Sequence, residues 1–235
     1  RLLRENRGIE IKNWVSVDSE IYCYPGTAMD GQVSLKINGS GKVGIKDFYR
    51  EFNESSMPPS FTKHTLYKGE SFMVGALPRI LNSGDKLKGE AARMADTLLK
   101  DLPKSIYANN LCQCIEIVYS LERTIEIIDI LLSGKRNIIP TDPSFSFTGR
   151  QSKGIAAIEA PRGLLVHTYT LDNKGYVLDG DIKTPTALNL SDIERSLKIL
   201  AEALIKEKND IRSDLETLVR AYDPCISCSV HIIEG

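Results

Sequence analysis

The chain has 235 residues, with 30 Lys and Arg against 31 Asp and Glu, a formal charge of −1, and 42% hydrophobic residues. That length supports one large domain or two small ones with ample core, and the balanced charge excludes a basic field for nucleic acid or for a membrane surface. No apolar run reaches the ~18 residues needed to span a bilayer, and no signal peptide is visible. Five unevenly placed cysteines argue against a disulfide framework and for a reducing compartment.

The first fifty residues read as short strands. Residues 8–11 and 15–17 lead to a Pro25-Gly26 turn. Residues 33–37 alternate, Asn38-Gly39-Ser40-Gly41 turns, and residues 42–45 return. That is a β-hairpin signature with glycine where positive φ is needed. Residues 48–64 are polar and irregular around Pro58-Pro59 and are expected to cover the surface.

Helices follow. Residues 85–100 carry Leu87, Ala91, Met94, Leu98 and Leu99 at helical spacing. Residues 109–132 give the strongest pattern: Leu111, Ile115, Val118, Leu121, Ile125, Ile128 and Leu132 recur every three or four positions. Such a helix is about 35 Å long and is expected to bury both flanks in a bundle. Residues 154–183 return to β character, with corners at Pro161-Arg162-Gly163 and Asp172-Asn173-Lys174-Gly175. Ser191 and Glu194 form a capping-box pattern that opens the next helix. A charged break over 206–210 precedes a last helix, which delivers Tyr222 and a cysteine turn. The pattern predicts an α+β chain: a small β-rich segment over residues 1–65, then a helical bundle over 66–235 with a β insertion at 154–183.

The C-terminal stretch carries the chemistry. Cys225 and Cys228 stand three apart, His231 stands three beyond, and Pro224 stops the preceding helix. Thiolates and imidazole suit nickel, iron, zinc and copper(I). Spacing alone leaves three readings open: half of a zinc or other metal site, two ordinary buried thiols, or a disulfide.

The residues around the cysteines narrow the choice. Asp223-Pro224-Cys225-x-x-Cys228-x-x-His231 resembles the terminal motif of the large, catalytic subunit of nickel–iron hydrogenases. Glu159-Ala160-Pro161-Arg162-Gly163 with Leu165 and His167 is similar to that family's Glu-Ala-Pro-Arg-Gly-x-Leu-x-His. Thr184-Pro185-Thr186 with Asn189 is similar to its Pro-Ser/Thr-x-x-Asn loop. The likeness runs back through residues 109–132 and 67–79, most of the chain.

The resemblance implies reversible oxidation of dihydrogen at a nickel–iron centre that carries diatomic ligands on iron. By position, Cys225 would be a terminal nickel ligand and Cys228 would bridge nickel and iron. His231 and the backbone carbonyl of Ile182 would hold magnesium. Arg162 would stand over the open face of the metals, holding the iron's diatomic ligands and polarising dihydrogen. Its guanidinium is always charged and donates in a fork. Thr186 would offer a hydroxyl to another diatomic ligand, while Pro161 and Pro185 keep the pocket dry and stiff.

Other residues have blander readings. Outside its motif, Arg162 would be an ordinary surface or salt-bridged arginine. His167 is expected to be structural and His64 solvated in a polar loop. Cys112 and Cys114, about 200° apart around one helix, read as core thiols, and Cys23 as packing. Glu116, Glu122 and Glu126 read as solvated or paired.

The match also departs from the family. Its other cysteine pair, in Arg-x-Cys-Gly-x-Cys, is absent, as is the glutamate beside it that passes protons. The chain opens on Arg1 rather than Met. The expectation is therefore the C-terminal half of a large subunit, with an incomplete metal centre when alone. A related respiratory-complex subunit lacks these cysteines, so Cys225 and Cys228 argue against it. Residues 232–235 follow the histidine after which family members are commonly trimmed, which implies an unprocessed chain or a short-tailed lineage. Residues 73–79 look most like cytoplasmic hydrogenases linked to NAD(P) or coenzyme F420. Expected partners are the missing N-terminal half, an iron–sulfur small subunit, electron-transfer subunits and maturation factors, with no nucleic acid and no membrane span. The alternative is a non-catalytic zinc-binding scaffold or a metal-free fragment.

Overall fold

The computed structural model describes residues 9–19, 22, 33–58, 62–100, 104–134, 149–207 and 211–225. The Pro25-Gly26 turn, Cys23, Cys228 and His231 lie outside the described residues.

Among the described residues, three small antiparallel sheets decorate a helical body, the expected α+β architecture. Strands β1 (Val15–Asp18), β2 (Ser34–Ile37) and β3 (Gly41–Gly44) pair in that order. The β2–β3 turn puts Asn38 at φ 50° and Gly39 at φ 81°, the left-handed pair that an Asn-Gly hairpin requires. Of the strand expected over residues 8–11, the described residues 9–11 form an isolated bridge, Glu10 to Ser105.

The described residues over 48–58 and 62–64 are largely regular rather than irregular. It makes a helical turn α1 (Phe48–Glu51) and a strand β4 (Phe52–Ser56), which pairs with β5 (Lys63–Tyr67). Phe48 and Phe52 lie four apart and stack at 4.6 Å. Phe52 then meets Phe72 edge-on at 5.2 Å. Two buried aromatics outweigh the polar residues between them.

Helix α2 (Ala76–Ser83) was not evident from periodicity. Helix α3 spans Gly89–Leu99, starting later than the pattern over 85–100 suggests, because a 3-10 turn (Gly84–Lys86) precedes it. The carboxylate of Glu122 accepts the Glu90 and Ala91 amides at 2.8 and 3.2 Å, which satisfies α3's orphan donors. Helix α4 (Ala108–Leu132) matches the expected long helix. Its first half is buried through Ala108, Cys112 and Ile115, but Ile117, Leu121 and Ile125 are about 60% exposed and Leu132 is 81% exposed. Among the described residues, the burial of α4 is therefore concentrated at its N-terminal end.

Strands β6 (Ser152–Ala160), β7 (Gly163–Leu171) and β8 (Val177–Lys183) form the third sheet, as the pattern over 154–183 anticipates. Helix α5 (Pro185–Glu207) begins six residues before the expected capping box. Proline suits the first helical turn because its missing N–H would have no partner there. Ser191 instead donates to the Thr65 carbonyl at 3.1 Å. The expected charged break falls where α5 ends, and α6 (Arg212–Ala221) closes the described chain. Among the described residues, no helix is long and apolar enough to cross a membrane.

Two cores result. One joins α2, α3, α4, α5 and α6 through residues such as Leu77, Ile80, Ile115, Leu200 and Leu218. The other gathers Val15, Leu35, Phe52 and Phe72 with Leu164 and Leu188. The second core thus ties the N-terminal strands to β7 and to the start of α5.

The β6–β7 corner is tightly packed against backbone. Gly163 sits at φ 133°, and a Cβ there would lie 2.7 Å from Val74 Cγ2 and 2.8 Å from the Gly75 nitrogen. Gly163→Ala is expected to cost roughly 2–4 kcal/mol, from backbone strain plus overpacking. Denaturant unfolding of the variant against wild type measures it.

Candidate metal centre and its cleft

Three chain segments converge on one cleft. The β6–β7 corner brings Pro161 and Arg162, the β8–α5 junction brings Ile182, Pro185 and Thr186, and the segment after α6 brings Cys225. The cleft encloses about 710 Å3. All the expected site residues that are described therefore share it. Cys228 and His231 complete the predicted set outside the described residues.

Local contacts explain the convergence. The Thr186 Oγ1 accepts the Cys225 amide at 3.1 Å, which pins the cysteine turn to the first turn of α5. Asn189 clasps Val74: its Oδ1 accepts the Val74 amide at 2.8 Å and its Nδ2 donates to the Val74 carbonyl at 3.1 Å. Asn109 accepts the Leu77 amide and donates to the Ala221 carbonyl, both at 2.9 Å. Two buried side-chain amides thus replace backbone ladders between segments far apart in sequence.

Arg162 is 44% exposed in its side chain, and its Nε lies 3.4 Å from Asp223 Oδ1. Asp223 also accepts from Gln113 at 2.9 Å and sits at φ 51°. The role of Asp223 beside Arg162 was not drawn from the sequence, although its place just before Pro224 and Cys225 offered the signal. One wall of the cleft is ionic. Lys183 is buried and donates to Glu54 at 2.5 Å and to Asp181 at 2.9 Å. Burial works against the Lys183 charge, yet hydrogen bonds to Asp181 and Glu54 leave its pKa above the ordinary lysine value.

The remaining candidates fall elsewhere. His64 is not solvated: it is 9% exposed on β5, with Nδ1 3.3 Å from the Glu194 carboxylate. Its neighbours are polar, but strand pairing turns it inward against α5. His167 meets the Tyr169 hydroxyl at 3.0 Å, two residues along the same strand. Cys112 is a core thiol, and burial, reinforced by the Glu116 charge, pushes its pKa up to about 12. Cys114 is exposed rather than buried, because two positions along α4 turn it away from the core. Glu116 and Glu122 are engaged by Arg79 and the α3 N-terminus, and Glu126 pairs with Arg123.

The described donor types, a thiol with a guanidinium and a hydroxyl nearby, are compatible with a thiolate-bound metal. Cys225 is exposed at the cleft, beside a guanidinium and a hydroxyl that suit anionic groups. Among the described residues, no three His, Cys, Asp or Glu side chains gather at a metal-sized point. Cys112, Cys114 and His64, the described candidates for further zinc ligands, do not line this cleft.

A family model described as nickel-dependent hydrogenase matches residues 27–231. The alpha subunit of sulfhydrogenase 1 from Pyrococcus furiosus is 42% identical over 194 residues, 80% of this chain and 42% of that one. Its sulfhydrogenase 2 counterpart is 41% identical over 189 residues, 79% of this chain and 45% of that one. The chain thus spans less than half the length of these relatives. A crystal structure of an NAD+-reducing nickel–iron hydrogenase superposes with a TM-score of 0.71 at 19% identity, over 96% of this chain and 52% of that one, and so shares the fold. The family match across most of the chain, together with these relatives, shows that it belongs to the nickel-dependent hydrogenase family.

Proposed function

We propose that this chain forms the C-terminal part of the large subunit of a nickel–iron hydrogenase and takes part in the reversible oxidation of dihydrogen to two protons and two electrons. The supporting observation is the single cleft shared by Pro161, Arg162, Pro185, Thr186 and Cys225, which come from three separate motifs. Cys225 and Cys228 would hold nickel, with Cys228 also on iron, and the upstream part of the subunit would supply the other thiolates. When bound, the centre supplies the redox chemistry that dihydrogen cleavage needs. His231 and the Ile182 carbonyl would hold magnesium.

The chain's own residues have distinct tasks. Arg162 reaches into the cleft with a charge that cannot be neutralised at working pH, so it can orient and polarise a ligand beside the metals. Asp223 limits where its fork points. Thr186 is held by the Cys225 amide, which leaves its hydroxyl proton free to donate to an anionic ligand. Pro161 and Pro185 line the cleft without adding N–H groups that would attract water.

The exposed apolar half of α4 would be covered by the upstream part of the same subunit. Electrons would leave through an iron–sulfur small subunit to subunits that bind NAD(P) or a deazaflavin.

Elemental analysis tests this reading. Nickel and iron are expected when the chain is co-expressed with the upstream segment and its maturation factors, and neither when the chain is purified alone. Stoichiometric zinc in the lone chain, or no nickel in the matured pair, would overturn it.

A further inference from the structure

Arg79 lies on α2 and is 3% exposed. Its five N–H donors are all used. Nε and Nη2 grip both oxygens of Glu116 at 2.7 and 2.6 Å. Nη1 reaches Glu159 at 2.9 Å and the Ala160 carbonyl at 3.0 Å. Nη2 also reaches the Pro161 carbonyl at 2.8 Å. The last two acceptors are the carbonyls immediately before Arg162. Pro161 stands beyond the last ladder pair, Ala160–Gly163, so its carbonyl depends on a side chain for its partner.

We propose that Arg79 is the positioning residue for Arg162: it fixes the Ala160–Pro161 backbone from which Arg162 projects into the cleft, and Glu116 and Glu159 hold Arg79 in place. The inference rests on the role given to Arg162 above. The geometry needs a planar group with several donors. Two carboxylates offset the cost of burying the guanidinium, and the carboxylates themselves are tied down. Glu159 Oε1 accepts the Val17 amide at 2.7 Å, and Glu116 accepts the Tyr22 hydroxyl at 2.5 Å. Gly163, packed against Val74 and Gly75, blocks the corner from the other end. The clamp therefore reaches the base of Arg162 from both sides, while its guanidinium, paired at Nε with Asp223, borders the cleft.

Lysine cannot reproduce this. Its three donors radiate from one nitrogen and cannot span two carboxylates and two carbonyls in a plane. In the assembled, metal-loaded enzyme, Arg79→Lys is expected to lower the turnover number for dihydrogen by roughly tenfold to a hundredfold through misplacement of Arg162. Nickel content and the KM for dihydrogen should not change. Amide hydrogen exchange should quicken in the peptide over 159–165 and stay constant in the β2–β3 hairpin. Turnover within twofold of wild type, or unchanged exchange over 159–165, would overturn the proposal.

If Arg79→Lys does not take up nickel, Glu116→Gln decides. It leaves the corner's own residues intact but offers one acceptor oxygen where Arg79 uses two. Faster exchange over 159–165 with reduced turnover would support the clamp, and wild-type values for both would sink it. Arg162→Lys in parallel separates the two readings. If that variant keeps its turnover, the role of Arg162 fails, while exchange still reports whether Arg79 holds the corner. If it loses turnover but Arg79→Lys does not, only the clamp fails.

Discussion

Cys225→Ser in the assembled enzyme is expected to reduce dihydrogen-dependent dye reduction by roughly a hundredfold or more. Residues that merely support metal ligands cost about 10–100-fold when changed, so losing a ligand should cost at least the upper end. The substitution is a demanding test because it changes so little else. Serine is nearly isosteric, Cys225 is exposed, and serine keeps the backbone bond to Thr186. The hydroxyl is much harder to deprotonate than a thiol and is a harder ligand, poorly suited to nickel. Nickel content should fall with activity while the melting temperature of the metal-free protein stays put. Retained nickel and turnover would remove Cys225 from the centre.

Arg162→Lys is expected to lower turnover by roughly 10²–10³-fold, the range seen when one preorganised donor is lost from an active site. Charge is conserved, so any loss comes from geometry. Arginine presents a planar fork and lysine a single point of charge. The ion pair with Asp223 at 3.4 Å is half-exposed and contributes little to stability, so folding should be nearly unchanged. Dihydrogen oxidation assays on variant and parent with matched nickel content measure the effect. Wild-type turnover would show that Arg162 serves the fold alone.

The grouping of Pro161, Arg162, Pro185, Thr186 and Cys225 around one cleft was legible in the sequence, because they fall in three motifs that resemble those of one family. The strands over 154–183 and the long α4 were legible too, through alternation and helical periodicity. The supports were not. Asn189, Asn109 and Arg79 act on partners 32 to 115 residues away, and nothing in their neighbourhood marks them as buried. His64 and Ser191 misled for the same reason. Local chemistry favoured a solvated ring and a helix cap, whereas packing of β5 on α5 gave each a partner across the fold. Local pattern reports what a segment can be, and tertiary contact decides what it is.

Residues 73–79 contain no metal ligand, yet all three motifs hang from them. Val74 holds Asn189, Gly75 packs on Gly163, Leu77 reaches the end of α6 through Asn109, and Arg79 grips the β6–β7 corner. The seven residues act as a ruler with a fixed spacing between marks. Relatives can lengthen surface connections between motifs at little cost. One residue added or removed between Val74 and Arg79 would throw every mark out of step at once. Length variation in this family is therefore expected to accumulate everywhere except along this short chemically silent segment.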